Sequence, residues 1–450
     1  MQTKKAGLAI LFSLMLIPFH LLYSWNAHPQ LTAMAVRDNP VWEQHGLVAV
    51  TSLQVFLQDT EDHLAGFLMQ HEAWARENLP HYAPRPDELT FQATGDPDDI
   101  LTRFFHAIRI NPQMGVQLYL QKLPGDDEPT GATIGPGQLT SLADVRSFQY
   151  HHYYAVQEGD MVNPLDVLAT ATDEPDFGFD LGLFEDNGTA HGLIYGFGKQ
   201  SFGNPNLEYS SQAPFHMGFY HEAGILYRAG PFLRRTWIDH RIFLYKALSE
   251  FAFQNNQPYW GWRFMGWGMH YVGDVSMPYH MKPLPGVSTC RMIRINTLAI
   301  LGMPRARNNA VQLVSNRHTV FEALQLELTL NTPEQQHLDH PFLAALSTPA
   351  ELATYDLDFL WNHASAESAA AAVQVDNTLA RNMPHRLVHN PNVEVAEMEN
   401  LYSLSVIIVE EKGVEALDEL TNVLAERLKH YSYHVNSYLN TIHATLNRIE

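Results

Sequence analysis

Residues 267–280 read WGMHYVGDVSMPYH, and no other stretch constrains the fold as much. His270, Asp274 and His280 form the pattern H-x3-D-x5-H. Residues four apart project from one face of a helix, so His270 and Asp274 can hold one cation. Gly273 and Pro278 predict that the helix stops soon afterwards, because proline cannot continue it. His280 then leaves in another direction and is available to a second cation. An aspartate between two histidines suits a multi-metal site, because its two oxygens can bridge.

The donor chemistry is narrow. The 450 residues include 24 histidines and a single cysteine, Cys290, which rules out thiolate metal sites and disulfide frameworks. Apolar content of 46% and charged content of 17% are those of a folded chain rather than a disordered one.

Residues 1–24 have the form of a secretory signal: Lys4 and Lys5, then a nearly continuous apolar run over 7–22, then the small Ser24. An uncleaved anchor is the alternative, although the run is short for a membrane span. Cleavage after Ser24 makes Trp25 the mature N-terminus and a secreted or periplasmic location the expectation. Removing Lys4 and Lys5 takes the formal charge from −21 to −21 − 2 = −23. Such a surface repels polyanions at long range, so no stable nucleic-acid partner is expected.

Along the chain, Pro29 fits a first helical turn beside His28, and Leu31, Met34 and Ala35 suit a buried face. A helix is predicted over 47–69; beyond it Pro80, Pro84, Pro86 and Pro97 and the segment 125–137 predict loops with short helices. His71, His81, His151 and His152 lack ligand spacing and read as surface or core residues. Asp173 precedes Glu174 and Pro175, and 177–184 is an aromatic, glycine-containing loop. His216 and His221 follow in APFHMGFYHE, and residues 222–253 read as helix. Trp260, Trp262 and Trp267 read as core. His318 and Glu322 again share a helix face, with Ser315 or Asn316 as a possible cap. A long final helix is predicted from Leu417, with a docking face through Leu420, Leu424, Leu428, Tyr431, Val435, Tyr438, Ile442 and Leu446. The pairs His385/His389 and His430/His434 have ligand spacing too, but the sequence shows no third ligand for either. There is no strong strand signal and no internal repeat, so an all-α fold is expected.

Taken in order, Trp25 and His28, Asp173 and His216, the central motif, and His318 with Glu322 resemble the superfamily of zinc-dependent phospholipases C and single-strand-specific fungal nucleases. The likeness covers 25–37 and 165–330. It implies a single large helical domain over 25–450 with a trinuclear zinc cleft, a loop-rich insertion at 45–160 and a helical segment at 395–450. By resemblance, one zinc takes Asp173, His216, His270 and Asp274; another takes His280, His318 and Glu322; a third takes Trp25, His28 and the other oxygen of Asp274. The family context favours His216 over His221 and Asp173 over Asp176. Asp173 is also the expected proton-transfer residue. Open nitrogen and oxygen sites suit catalytic zinc, which lowers the pKa of bound water and splits a phosphodiester.

Three functions are open at this point: a phospholipase C acting at a membrane surface, a single-strand nuclease, and a non-catalytic zinc scaffold. Absence of disulfides, the acidic surface and the loop 177–184 favour the first, with Phe177, Phe179, Leu183 and Phe184 offered for insertion into lipid. Glu174 stands where choline-binding phospholipases tend to carry an aromatic residue, which leaves the head-group open.

Overall fold

The computed structural model describes residues 27–446, apart from 124–125, 127–128, 130, 146–147, 149, 204–208, 335–339 and 399–400. The expected signal segment and Trp25 therefore lie outside the described residues.

The fold is all-α, built around the helix Pro258–Val275. From Tyr259 to Val275 every side chain of that helix is buried, including Trp260, Trp262 and Trp267. A helix apolar on all sides must be covered on all sides. Ile238–Gln254 lies antiparallel against one flank, Pro164–Ala171 covers a second, and the C-terminal helix Val414–Leu446 covers a third. Close approach is set by glycine: a Cβ on Gly273 would stand 2.6 Å from Tyr431 Cε2 and 3.2 Å from His28 Cε1. The C-terminal helix docks through the expected face, with Leu420, Leu424, Leu428, Tyr431, Val435, Tyr438 and Ile442 all buried.

Several local expectations change. The helix predicted over 47–69 is Leu53–Asn78, capped by Ser52, whose side chain accepts from Val55 N–H. Residues 222–253 break into Gly224–Ala229, a 3₁₀ turn Pro231–Arg234 and Ile238–Gln254. Ser315 and Asn316 are not caps; they lie inside the helix Arg305–Glu334. Two small antiparallel sheets also form, with no forewarning in the sequence. Val48–Ala49 pairs with Met161–Val162, which brings the two ends of 45–160 together. Tyr153–Ala155 is the centre of a second sheet, between Tyr119–Gln121 and Thr133–Ile134. Strands of two or three residues carry too little alternation to be read from sequence.

The loop 177–184 overturns an expectation outright. Phe177, Phe179, Leu183 and Phe184 are all buried, Phe179 edge-on to Trp267 and Phe184 against Phe215 and Trp237. These rings cannot insert into lipid; they are core. Among the described residues, no helix is long and apolar enough to cross a membrane.

Candidate metal centre

Five structural elements bring their ends or inner faces to Asp274. The helix Pro258–Val275 presents His270 and Asp274 one turn apart, and ends where Met277 N–H closes on the Asp274 carbonyl. Pro278 starts a separate short helix, Pro278–Met281, which carries His280. His216 is the last residue of Ala213–His216, held beside His280 by the hydrogen bond from Gly218 N–H to the His280 carbonyl. His28 opens the helix His28–Val36, with Pro29 in its first turn. His318 and Glu322 share the inner face of Arg305–Glu334.

The two oxygens of Asp274 face different partners. Oδ2 lies 2.9 Å from His216 Nδ1 and 3.5 Å from His270 Nε2. Oδ1 lies 3.9 Å from His28 Nε2 and 3.5 Å from His280 Nδ1. His280 then reaches towards Glu322, whose Oε1 is 3.9 Å from His280 Nε2 and 2.7 Å from His318 Nε2. The result is three groups that could each hold a metal ion: His28/His270/Asp274, Asp176/His216/His270 and His280/His318/Glu322.

The expected ligands His28, His216, His270, Asp274, His280, His318 and Glu322 are thus brought together. His221 is not among them; its Nε2 lies 2.9 Å from Ser365 Oγ. Asp173 is placed differently from the expectation, although its Oδ2 is also buried without a hydrogen-bond partner. It is buried beside the site but belongs to none of the three groups, and Asp176 takes its place, 3.9 Å from His216 Nδ1 and 3.7 Å from His270 Nε2. The chain runs from Asp173 into the 3₁₀ turn Glu174–Phe177. Residues three apart in such a turn eclipse one another, so local sequence does not choose between the two carboxylates. Glu174 is structural: it pairs with Arg263 and accepts from Trp267 Nε1, tying the turn to the central helix.

Sequence reasoning also missed Asp180. Fully buried, it accepts from Arg241 Nη2 at 2.6 Å and Tyr271 Oη at 2.6 Å, and lies 3.4 Å from His216 Nε2. His270 Nδ1–H donates to the Thr172 carbonyl at 2.7 Å, which leaves Nε2 facing the cluster. Such outer contacts fix the tautomer and aim of a ligating imidazole.

The electrostatics fit cations. Burial, then the neighbouring Asp274 and Asp176, raise Glu322 well above the usual carboxylate range. Burial, then Asp274 and Asp180, push Asp176 up to about 7 against the pull of His216. Burial pushes Asp274 up as well, but His270, His280 and the hydrogen bond with His216 outweigh it and hold the carboxyl well below its usual range. Burial holds His28 down at about 4, so it is neutral, as a ligand must be. His216 is the exception: burial lowers it, but Asp180 and Asp274 raise it to about 10, so cation binding there releases a proton.

Hydrogen-bond geometry makes the same point. Both oxygens of Glu322, Nε2 of His318 and Nδ1 of His280 are buried without a hydrogen-bond partner, although Glu322 and His318 stand 2.7 Å apart. Buried polar atoms are normally satisfied, and an orphan costs about 1–3 kcal/mol. Lone pairs that approach one another without forming hydrogen bonds are arranged for a third body between them.

No protein-family model, curated protein or solved structure matches the chain. The functional reading therefore rests on the site itself and on the motif resemblance.

Proposed function

We propose that the chain is a secreted or periplasmic zinc-dependent phosphodiester hydrolase of the phospholipase C type, cutting the glycerol–phosphate bond to leave diacylglycerol and a phosphorylated head-group. The observation that carries the reaction class is Asp274, whose two oxygens face two different sets of histidines. We assign zinc because the donors around Asp274 are imidazole and carboxylate only; the count of three ions comes from the resemblance, since two of the three groups share the one free nitrogen of His270. Bound there, zinc lowers the pKa of water and neutralises charge on a phosphoryl oxygen.

The protein's own part is positioning and proton handling. Asp274 and Glu322 are sealed from solvent, whereas the Asp176 side chain is 20% exposed and so is the cluster carboxylate that water reaches. We assign Asp176, through its second oxygen, the proton-accepting role expected of Asp173. Asp180 and Thr172 keep His216 and His270 aimed.

Lipid is favoured as the substrate by a cavity of about 730 Å³ lined by Phe219, Pro283, Leu284, Met292, Ile300 and Leu301 among others. Phe219 lies three residues beyond His216 and Pro283 three beyond His280, so two of the cavity's lining residues follow closely in sequence on two of the cluster histidines. Its rim is a helical hairpin: Thr289–Ile300 ends at Gly302, in the left-handed conformation, and Arg305–Glu334 begins just beyond. Ile300, Leu301 and Met303 stand exposed at the tip. Residues 282–317 hold no acid, in a chain of net charge −21; Lys282 and Arg317 are paired with Glu222 and Asp376, which leaves Arg291, Arg294, Arg305 and Arg307 as the cations nearer the tip. Apolar tips flanked by cations suit an anionic lipid surface. The base stacking that single strands require is poorly served, since Tyr150 is the sole aromatic among the exposed large apolar side chains of the described residues.

The test is product release from phosphatidylcholine/phosphatidylglycerol vesicles, from a soluble short-chain phospholipid and from denatured DNA, with zinc present and after chelation. Zinc-dependent diacylglycerol release is expected. Leu301→Ser with Met303→Ser should lower vesicle hydrolysis at least about tenfold, at roughly 2 kcal/mol per buried side chain, and spare the soluble ester. Cleavage of DNA without lipid hydrolysis would make the protein a nuclease. Full zinc content with neither activity would make it a scaffold.

A further inference from the structure

The C-terminal helix carries His430 and His434 one turn apart, a pair for which the sequence shows no third ligand. The fold supplies one. Glu367, in the first turn of the helix Ser365–Asn382, reaches across so that its Oε2 lies 2.7 Å from His430 Nδ1 and 3.5 Å from His434 Nε2. We propose that Glu367, His430 and His434 form a further divalent-cation site, separate from the three groups around Asp274, which takes a borderline ion such as zinc and clamps the helix Ser365–Asn382 to the C-terminal helix.

Two observations carry this beyond an ordinary ion pair. One ligand atom from each of the three residues lies within 4.8 Å of the others, close enough for one ion to touch all three. And His434 is 1% exposed with neither ring nitrogen in a hydrogen bond. A neutral imidazole carries one donor and one acceptor, and here Nε2 has only the long 3.5 Å approach to Glu367, which leaves the buried ring poorly satisfied. An ion at Nε2 satisfies that nitrogen and draws the nearby carboxylate and second imidazole to the same point. The layout repeats that of the His280/His318/Glu322 group: two ligands at i and i+4 on one helix and a third from another element. The remaining pair, His385 and His389, does not reproduce it. Its rings stack at 4.6 Å, His389 Nε2 is bonded to the Ala380 carbonyl, and among the described residues no carboxylate completes a group. Glu367 and His430 keep 43% and 25% of their side chains exposed, so the ion exchanges with solvent and coordination positions stay open to water.

The experiment is elemental analysis of the full chain after dialysis against excess zinc, compared with Glu367→Gln/His430→Gln. Both substituted side chains are partly exposed, and buried His434 is left in place, so folding is preserved. The variant should hold one zinc fewer, and zinc should raise its melting temperature less than that of the parent. The same one-ion loss is expected when the double change is made on an Asp274→Asn background, so the result does not depend on what the cleft holds. Equal zinc content in parent and variant on both backgrounds would overturn the site.

Discussion

Gly273→Ala asks whether the wall of the cleft is as tightly set as it looks. The added Cβ would lie 2.6 Å from Tyr431 Cε2 and 3.2 Å from His28 Cε1. Carbon atoms rest at about 3.5–4.0 Å, so Tyr431 must retreat by roughly 1 Å. It is not free to do so: its hydroxyl is 2.7 Å from Thr32 Oγ1, on the same helix as His28. The strain therefore passes to the helix that carries His28. Overpacking costs about 1–3 kcal/mol, against about 1 kcal/mol gained by replacing glycine with alanine inside a helix. The net effect on stability is small, about 0–2 kcal/mol lost. The diagnostic quantity is the coupling with Tyr431→Leu, which opens the space. A double-mutant cycle in urea should give a favourable coupling of about 1 kcal/mol or more, and Gly273→Ala alone should lower zinc affinity about tenfold. A Gly273→Ala protein that gains about 1 kcal/mol, keeps its full zinc content and shows no coupling would refute the argument.

Other outcomes follow from the same geometry. Asp176→Asn should weaken zinc retention against a chelator at least about tenfold, whereas Asp173→Asn should leave it unchanged; the reverse would restore the family assignment. Replacing Phe177, Phe179 and Phe184 by serine should abolish folding, at about 3 kcal/mol or more per ring, instead of selectively lowering activity on vesicles; circular dichroism on heating decides. Burial raises Asp239 to about 6 despite hydrogen bonds from His240 N–H and Trp361 Nε1, so the unfolded chain, with a value near 3.9, ionises first and stability falls as pH rises from about 4 through 6. Asp239→Asn should therefore gain up to about 3 kcal/mol at pH 7.5 and nothing at pH 4, measured by urea unfolding at both.

What the sequence made legible follows from how each feature is encoded. His270/Asp274 and His318/Glu322 could be read because a helix fixes the relative direction of residues four apart, whatever surrounds it. The buried face of the C-terminal helix was legible for the same reason. Asp176 was not, because its choice over Asp173 depends on how one 3₁₀ turn sits against Arg263 and Trp267, and that anchor comes through Glu174 from a distant helix. Nor could Glu367 be matched to His430 from 63 positions away. The loop 177–184 teaches a different lesson. Its aromatic content did mark it as unsolvated, but composition cannot separate a ring that meets lipid from one that meets Trp267 or Trp237.

The longest-range dependence in the fold concerns His28. His28 stands at the start of a helix that packs on both Pro164–Ala171 and the C-terminal helix, and three of its region's hydrogen bonds span some 400 residues: Thr32 on Tyr431, Asn39 on Asn436 at 2.8 Å, and the Ala35 carbonyl on Asn436 Nδ2 at 2.8 Å. Those partners sit on the same C-terminal helix that fills the space over Gly273. The C-terminal helix thus helps to place His28, and its docking must offset a loop closure spanning nearly the whole chain. His280, His318 and Glu322, by contrast, come from residues 278–334, adjacent in sequence. Contact range therefore predicts that the group beyond Asp274 forms before the group that needs the N-terminal helix, and pulsed hydrogen exchange during refolding that protects 28–36 no later than 278–334 would refute it.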